Sequence, residues 1–133
     1  MDEVQVRVEV EVNPTEDPTK VKQAVENVLG SLKLEEQRVA RGSLLTAQTR
    51  GMENLSHFGS LLRRERIRAA ARTILRRGRR GNIVAFYLNK QVAHAGHVSF
   101  CEPLAESPLG PIKVEVKSDN PSRLLDFLAP RTG

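Results

Sequence analysis

Val4, Val6, Val8, Val10 and Val12 alternate with Gln5, Arg7, Glu9 and Glu11. A strict period of two puts all five valines on one face of a strand and scatters them around a helix, so the chain opens with a strand that is dry on one side and wet on the other. Such a strand belongs to a sheet with one face in water. Helices then cover only the opposite face, which predicts a single-domain α+β fold with a mainly antiparallel sheet and helices packed on one side.

The remaining segments supply the partners of that strand. Asp17-Pro18 reads as an N-cap with proline at the first helical position, Val21, Ala24, Val25, Val28 and Leu29 form an apolar stripe, and Gly30 closes the helix. Two strands are expected over residues 32–49, the first around Leu32 and Leu34, the second from Val39 to Thr49. Glu53 to Leu62 reads as a short helix. Arg64 to Arg77 reads as a longer one, with Ile67, Ala70, Ala71, Ile74 and Leu75 toward the core and Gly78 as its stop. Ile83 to Leu88 has the β-branched and aromatic content of a buried strand, broken by Asn89-Lys90-Gln91. Val98 and Phe100 suggest a further strand, and Ile112, Val114 and Val116 the last one. Asp119-Asn120-Pro121 caps a closing helix built on Leu124, Leu125 and Leu128. The Ser107-Pro108-Leu109-Gly110-Pro111 stretch reads as a rigid turn that aims the last strand. With no repeat or linker in 133 residues, residues 1–133 are expected to form one domain of ordinary size.

Charge gives the first hint of a role. Nine arginines (Arg63, Arg64, Arg66, Arg68, Arg72, Arg76, Arg77, Arg79 and Arg80) face the single acid Glu65 in one segment, a local balance of +8 in a chain whose formal net charge is +5. The rest of the chain is therefore net acidic, and the asymmetry focuses a positive field on one region. On a continuous helix, Arg68, Arg72 and Arg76 form a slanting stripe beside the apolar face, with Arg66 and Arg77 on its other flank. Arg79 and Arg80 would extend the patch onto a loop. Arginine suits phosphate because its planar fork donates two charge-assisted hydrogen bonds at once. Cations also complement the negative end of a helix or solvate a surface; that explanation does not reach Arg63, Arg64 and Arg66 if they lie at a helix start. Asn89 and Lys90 could add donors to phosphate or sugar, or simply close a turn.

The other residue types narrow the choice. Phe58, Phe86, Phe100 and Phe127 lie in apolar runs that look like core, and Tyr87 alone opposes its apolar neighbours and faces the wet side. A platform for stacked bases is not visible, which favours contact with the backbone of structured RNA. His94, His97 and Cys101 lack a fourth ligand for a closed zinc site, and no acid or base is placed beside Cys101 by spacing, so neither metal, cofactor nor catalysis is expected. A single cysteine, the absence of a leader pattern and apolar runs far shorter than the ~20 residues of a membrane span predict a soluble cytoplasmic protein.

Phe86-Tyr87-Leu88-Asn89-Lys90-Gln91, Glu106-Ser107-Pro108-Leu109-Gly110-Pro111-Ile112 and the valine strand followed by Asn13-Pro14-Thr15-Glu16-Asp17 together resemble a small archaeal family of uncharacterised proteins. Arg63-Arg64-Glu65-Arg66-Ile67 leading into Ala69-Ala70-Ala71 extends the resemblance over nearly the whole chain. The family is described as predicted RNA-binding, with a fold like that of the large-subunit ribosomal protein that contacts five-S RNA. The resemblance implies that fold and an RNA partner, and it brings no catalytic residues. The expectation is thus a non-catalytic RNA-binding protein. The alternative is an assembly or protein-interaction subunit, whose arginines meet an acidic partner or whose valine strand pairs edge to edge with a second copy in a homodimer.

Overall fold

A computed structural model describes residues 3–102 and 110–131. The alternating valines form β1 (Val4–Val12), α1 (Pro18–Leu29) follows it, and β2 (Glu35–Arg38) and β3 (Ser43–Arg50) make a hairpin. Next come α2 (Glu53–Arg64), α3 (Arg68–Arg77), the two-residue β4 (Arg79–Arg80), β5 (Ile83–Asn89), α4 (Lys90–His94), β6 (Pro111–Ser118) and α5 (Pro121–Leu128). The six strands lie in the order β2-β3-β1-β6-β5-β4 with every neighbouring pair antiparallel.

Register explains the core. Leu45, Val10, Ile112 and Leu88 lie side by side across four strands, and Ala47, Val8, Val114 and Phe86 form the next row. All eight are buried. The helical layer meets these rows with Val21, Val25, Val28 and Leu29 from α1, Leu55, Phe58 and Leu62 from α2, Leu75 from α3 and Leu124 and Leu128 from α5. Phe58 stacks on Phe86 with ring centroids 5.1 Å apart, and Phe100 meets both edge-on at 6.2 and 6.0 Å. Each such side chain contributes about 1.5–3 kcal/mol through burial. Within the layer α1 packs on α2 and α4, and α5 packs on α2 and α3.

Local chemistry sets the helix ends. The Asp17 carboxylate accepts from the Thr19 amide, the Asn120 side chain accepts from the Arg123 amide, and buried Asn54 donates to the Leu29 and Ser31 carbonyls, tying the end of α1 to α2.

Several expectations need correction. The segment from Arg64 to Arg77 is two helices, because α2 ends in a hydrogen-bonded reversal: the Arg66 amide donates to the Arg63 carbonyl, the Ile67 amide donates to the Leu62 carbonyl, and Arg66 takes φ 58°. Of the residues expected on the core side, Ala71 and Leu75 are buried, Ile67 and Ile74 are half-buried, and Ala70 is exposed. Arg79 and Arg80 form a strand on β5 where a loop was expected, and Gly78 brings them close: a Cβ there would sit 2.0 Å from the Ala85 carbonyl oxygen. β1 lies between β3 and β6, so it has no free edge to offer a second copy. The first of the two early strands begins at Glu35 rather than around Leu32, and the second at Ser43 rather than Val39. Asn89-Lys90-Gln91 starts α4, with the Asn89 side chain accepting from the Val92 amide. Val98 to Phe100 gives only one bridge, between Leu88 and Phe100. Ser107, Pro108 and Leu109 of the proline turn lie outside the described residues.

Candidate nucleic-acid interface

The nine arginines are distributed over three elements on the helix-covered side and its adjoining sheet edge. Arg63 and Arg64 occupy the last turn of α2, Arg66 the reversal, Arg68, Arg72, Arg76 and Arg77 lie on α3, and Arg79 and Arg80 form β4. Seven are exposed, and Arg68 and Arg72 are half-buried. Arg63 and Arg64 thus end a helix instead of starting one, and both pairs, Arg63-Arg64 and Arg76-Arg77, complement the negative end of a helix. The dipole accounts for part of the pattern. It does not account for Arg66, Arg68, Arg79 and Arg80.

Their partners separate anchored guanidinium groups from available ones. Arg72 forms an ion pair of 2.8 Å with Asp126 and donates to the Ala129 carbonyl at 3.0 Å, which fastens α3 to α5. Arg79 donates to the Gly81 carbonyl and the Ser122 hydroxyl, and Arg80 to the Arg77 and Arg79 carbonyls, bonds that orient both side chains without neutralising them. Among the described residues, Arg63, Arg64, Arg66, Arg68, Arg76 and Arg77 make no ion pair with a carboxylate.

Asn89 and Lys90 are engaged in bonds within the protein. Asn89 caps α4. Lys90 is 3% exposed and donates to Glu16 at 2.9 Å and to the Glu11 carbonyl at 2.7 Å. Burial opposes the charge on Glu16, but hydrogen bonds from the Asn13 backbone and from Lys90 outweigh it and hold that carboxyl below the usual glutamate range.

Glu65, the lone acid of the block, has a structural task. One carboxylate oxygen accepts from the Val98 amide at 2.7 Å and the other meets His97 Nδ1 at 2.6 Å, so Glu65 straps the segment after α4 to the α2–α3 reversal. The Val98 amide, followed by His97, holds this carboxyl below its ordinary value. Among the described residues no three His, Cys, Asp or Glu side chains converge on a point where a metal could sit.

The open face of the sheet offers a different character. Glu9, Lys113 and Tyr87 lie side by side across β1, β6 and β5, and Arg7 lies beside Glu115. Lys113 bonds Glu115 at 3.0 Å, and this contact, supported by Tyr87 and Glu9, raises the lysine above its ordinary pKa. Charges there alternate in sign, so no positive field builds up. Tyr87 does occupy the wet side of the sheet, half-buried among these side chains.

One exposed aromatic residue was missed in the sequence. Phe127 lies in an apolar run, yet it is 43% exposed, because Leu124, Leu125 and Leu128 occupy the buried stripe of α5. The helical period was the available signal: Phe127 follows Arg123 by one turn and lies at the edge of the leucine stripe, not at its centre.

Sequence and structure place the chain among known proteins. A family model described as RNA binding matches residues 5–118. A UPF0201 protein of Sulfurisphaera tokodaii is 42% identical over 125 residues, covering 94% of this chain and 86% of that protein. One from Pyrobaculum arsenaticum is 44% identical over 130 residues, covering 97% and 91% respectively. The crystal structure of a UPF0201 protein from Methanococcus jannaschii is similar with a TM-score of 0.83 at 33% identity, covering 97% of this chain and 95% of that one. With sequence and fold matched over nearly their full lengths, the chain belongs to the UPF0201 family of archaeal proteins.

Proposed function

We propose that this protein is a non-catalytic RNA-binding protein of the cytoplasm that holds the phosphate backbone of structured RNA through Arg63, Arg64, Arg66, Arg68, Arg76, Arg77, Arg79 and Arg80. The observation that carries the reading is a set of exposed arginines, concentrated on α2, α3 and β4, most of which have no carboxylate partner among the described residues. The match to a family described as RNA binding supports the same partner. A fold like that of the large-subunit ribosomal protein that contacts five-S RNA is part of the same proposal. Arg72 and Lys90 fall outside the proposed contact set because each is neutralised by a carboxylate, and Asn89 because its side chain caps α4.

The reading implies counterion release on binding. If about five of these arginines meet phosphate, log affinity for a duplex should fall with log salt at a slope of about −4.5. Replacing Arg68, Arg76 and Arg77 by glutamine should flatten that slope to about −2. Fluorescence anisotropy titrations of a labelled RNA hairpin at several salt concentrations measure both. An unchanged affinity and slope in the triple variant would refute the arginine surface, and nuclease-resistant oligomers without bound RNA would favour the assembly role instead.

A further inference from the structure

The end of α5 forms a ridge between two arginine-lined grooves. The first, of about 320 Å³, is lined by Arg63 and Arg68 with the Ser56 and Ser60 hydroxyls, and has Phe127 and Pro130 on its wall. The second, of about 580 Å³, is lined by Arg72, Arg76, Arg79 and Arg131 with Ser122 and Asp126. Pro130 borders both grooves, so they adjoin. Asp126, an acid in the second groove, is paired with Arg72, while Arg76 makes no such pair among the described residues. At the ridge, Phe127 keeps 43% of its surface in solvent, and exposed Arg123 lies one helical turn before it on the same face.

Phe127 differs from the other phenylalanines. Phe58, Phe86 and Phe100 stack on one another in the core, whereas no ring contact involves Phe127 among the described residues. An exposed aromatic ring on the wall of one cationic groove, with a second cationic groove beyond Pro130, matches a nucleotide in its parts: the base stacks on the ring and the flanking phosphates accept from guanidinium groups of the two grooves. A fully paired duplex keeps its bases stacked inside and cannot use the ring. We infer that the ridge of Phe127 and Pro130 receives an unpaired nucleotide of RNA, with the phosphate before it in one groove and the phosphate after it in the other. This rests on the RNA-binding reading above and narrows it to RNA helices interrupted by a bulge or ending in a loop.

The test compares a labelled RNA hairpin with a fully paired stem against the same stem carrying one bulged nucleotide, titrated with the full chain by fluorescence anisotropy. The expected result is a preference for the bulged stem of roughly ten- to a hundred-fold. Phe127→Leu, which keeps an apolar side chain on an exposed site, should remove the preference while affinity for the paired stem stays within about twofold; Phe127→Trp should retain it. Equal binding of both stems by the parent chain, or a preference that survives in Phe127→Leu, overturns the inference and leaves the backbone reading standing. Failure to bind either stem overturns both. If sedimentation shows that Phe127→Leu dissolves an oligomer and RNA preference is untouched, the ridge is a contact between protein chains and the inference fails.

Discussion

Arg72 and Arg76 lie one turn apart on α3 and do different work. Arg72 holds Asp126 and the Ala129 carbonyl from a side chain only 16% exposed, whereas Arg76 projects into solvent. Arg72→Gln should lower unfolding stability by about 1–3 kcal/mol in urea titrations. Arg76→Gln should stay within about 0.5 kcal/mol of the parent and instead reduce the salt slope of RNA binding by about 0.9. Lys90 makes the same point from the other side. It read as a surface turn residue because its neighbours Asn89 and Gln91 are polar, and its partner Glu16 lies 74 positions away. Lys90→Met strips the half-buried Glu16 carboxylate of its cation, and a loss of about 3 kcal/mol is expected, detectable by thermal or urea unfolding. Pairing it with Glu16→Leu should restore much of that loss.

At the scale of elements, the break between α2 and α3 is the feature that reorganises the surface. Its hydrogen bonds are those of a helix-ending reversal that usually employs glycine, but here an arginine occupies the left-handed position. That is why the pattern from Arg64 to Arg77 passed for one helix: no glycine or proline marks the stop. Arg66→Gly should relieve the backbone and raise stability by up to about 1 kcal/mol, while removing one cation from the proposed interface. A fall in melting temperature for this variant would mean that Arg66 is held by more than its backbone. Elsewhere the elements were readable where capping chemistry is local. Asp17-Pro18 and Asn120-Pro121 start α1 and α5 as expected, while α4, only five residues long, offered too little periodicity to detect.

For the molecule as a whole, two carboxylates join segments that are distant in sequence: Glu16 to Lys90, and Glu65 to His97 and Val98. Both have pKa values lowered by folding. Their stabilisation is therefore complete above the ordinary glutamate value of about 4.3 and disappears as pH falls through the lowered folded values. Urea midpoints measured between about pH 6 and pH 3 should decline in the acid limb. Glu65→Gln, which keeps an acceptor for the Val98 amide, should make that decline shallower; an identical pH profile would remove Glu65 as a contributor. No helix of the described residues is long and apolar enough to cross a membrane.

The period-two valines and the local caps were enough to dictate an antiparallel sheet, its dry and wet faces and most helix starts, because each depends on neighbours only a few residues apart. The concentration of arginine was equally visible. Packing alone decided which of those arginines are anchored and which lack a carboxylate partner among the described residues, that Lys90 is buried, that β1 lies inside the sheet and that Phe127 emerges on the wall of an arginine-lined groove. Those outcomes depend on which distant groups arrive beside each side chain, on Asp126 beside Arg72 and Glu16 beside Lys90, and no local pattern encodes that arrival.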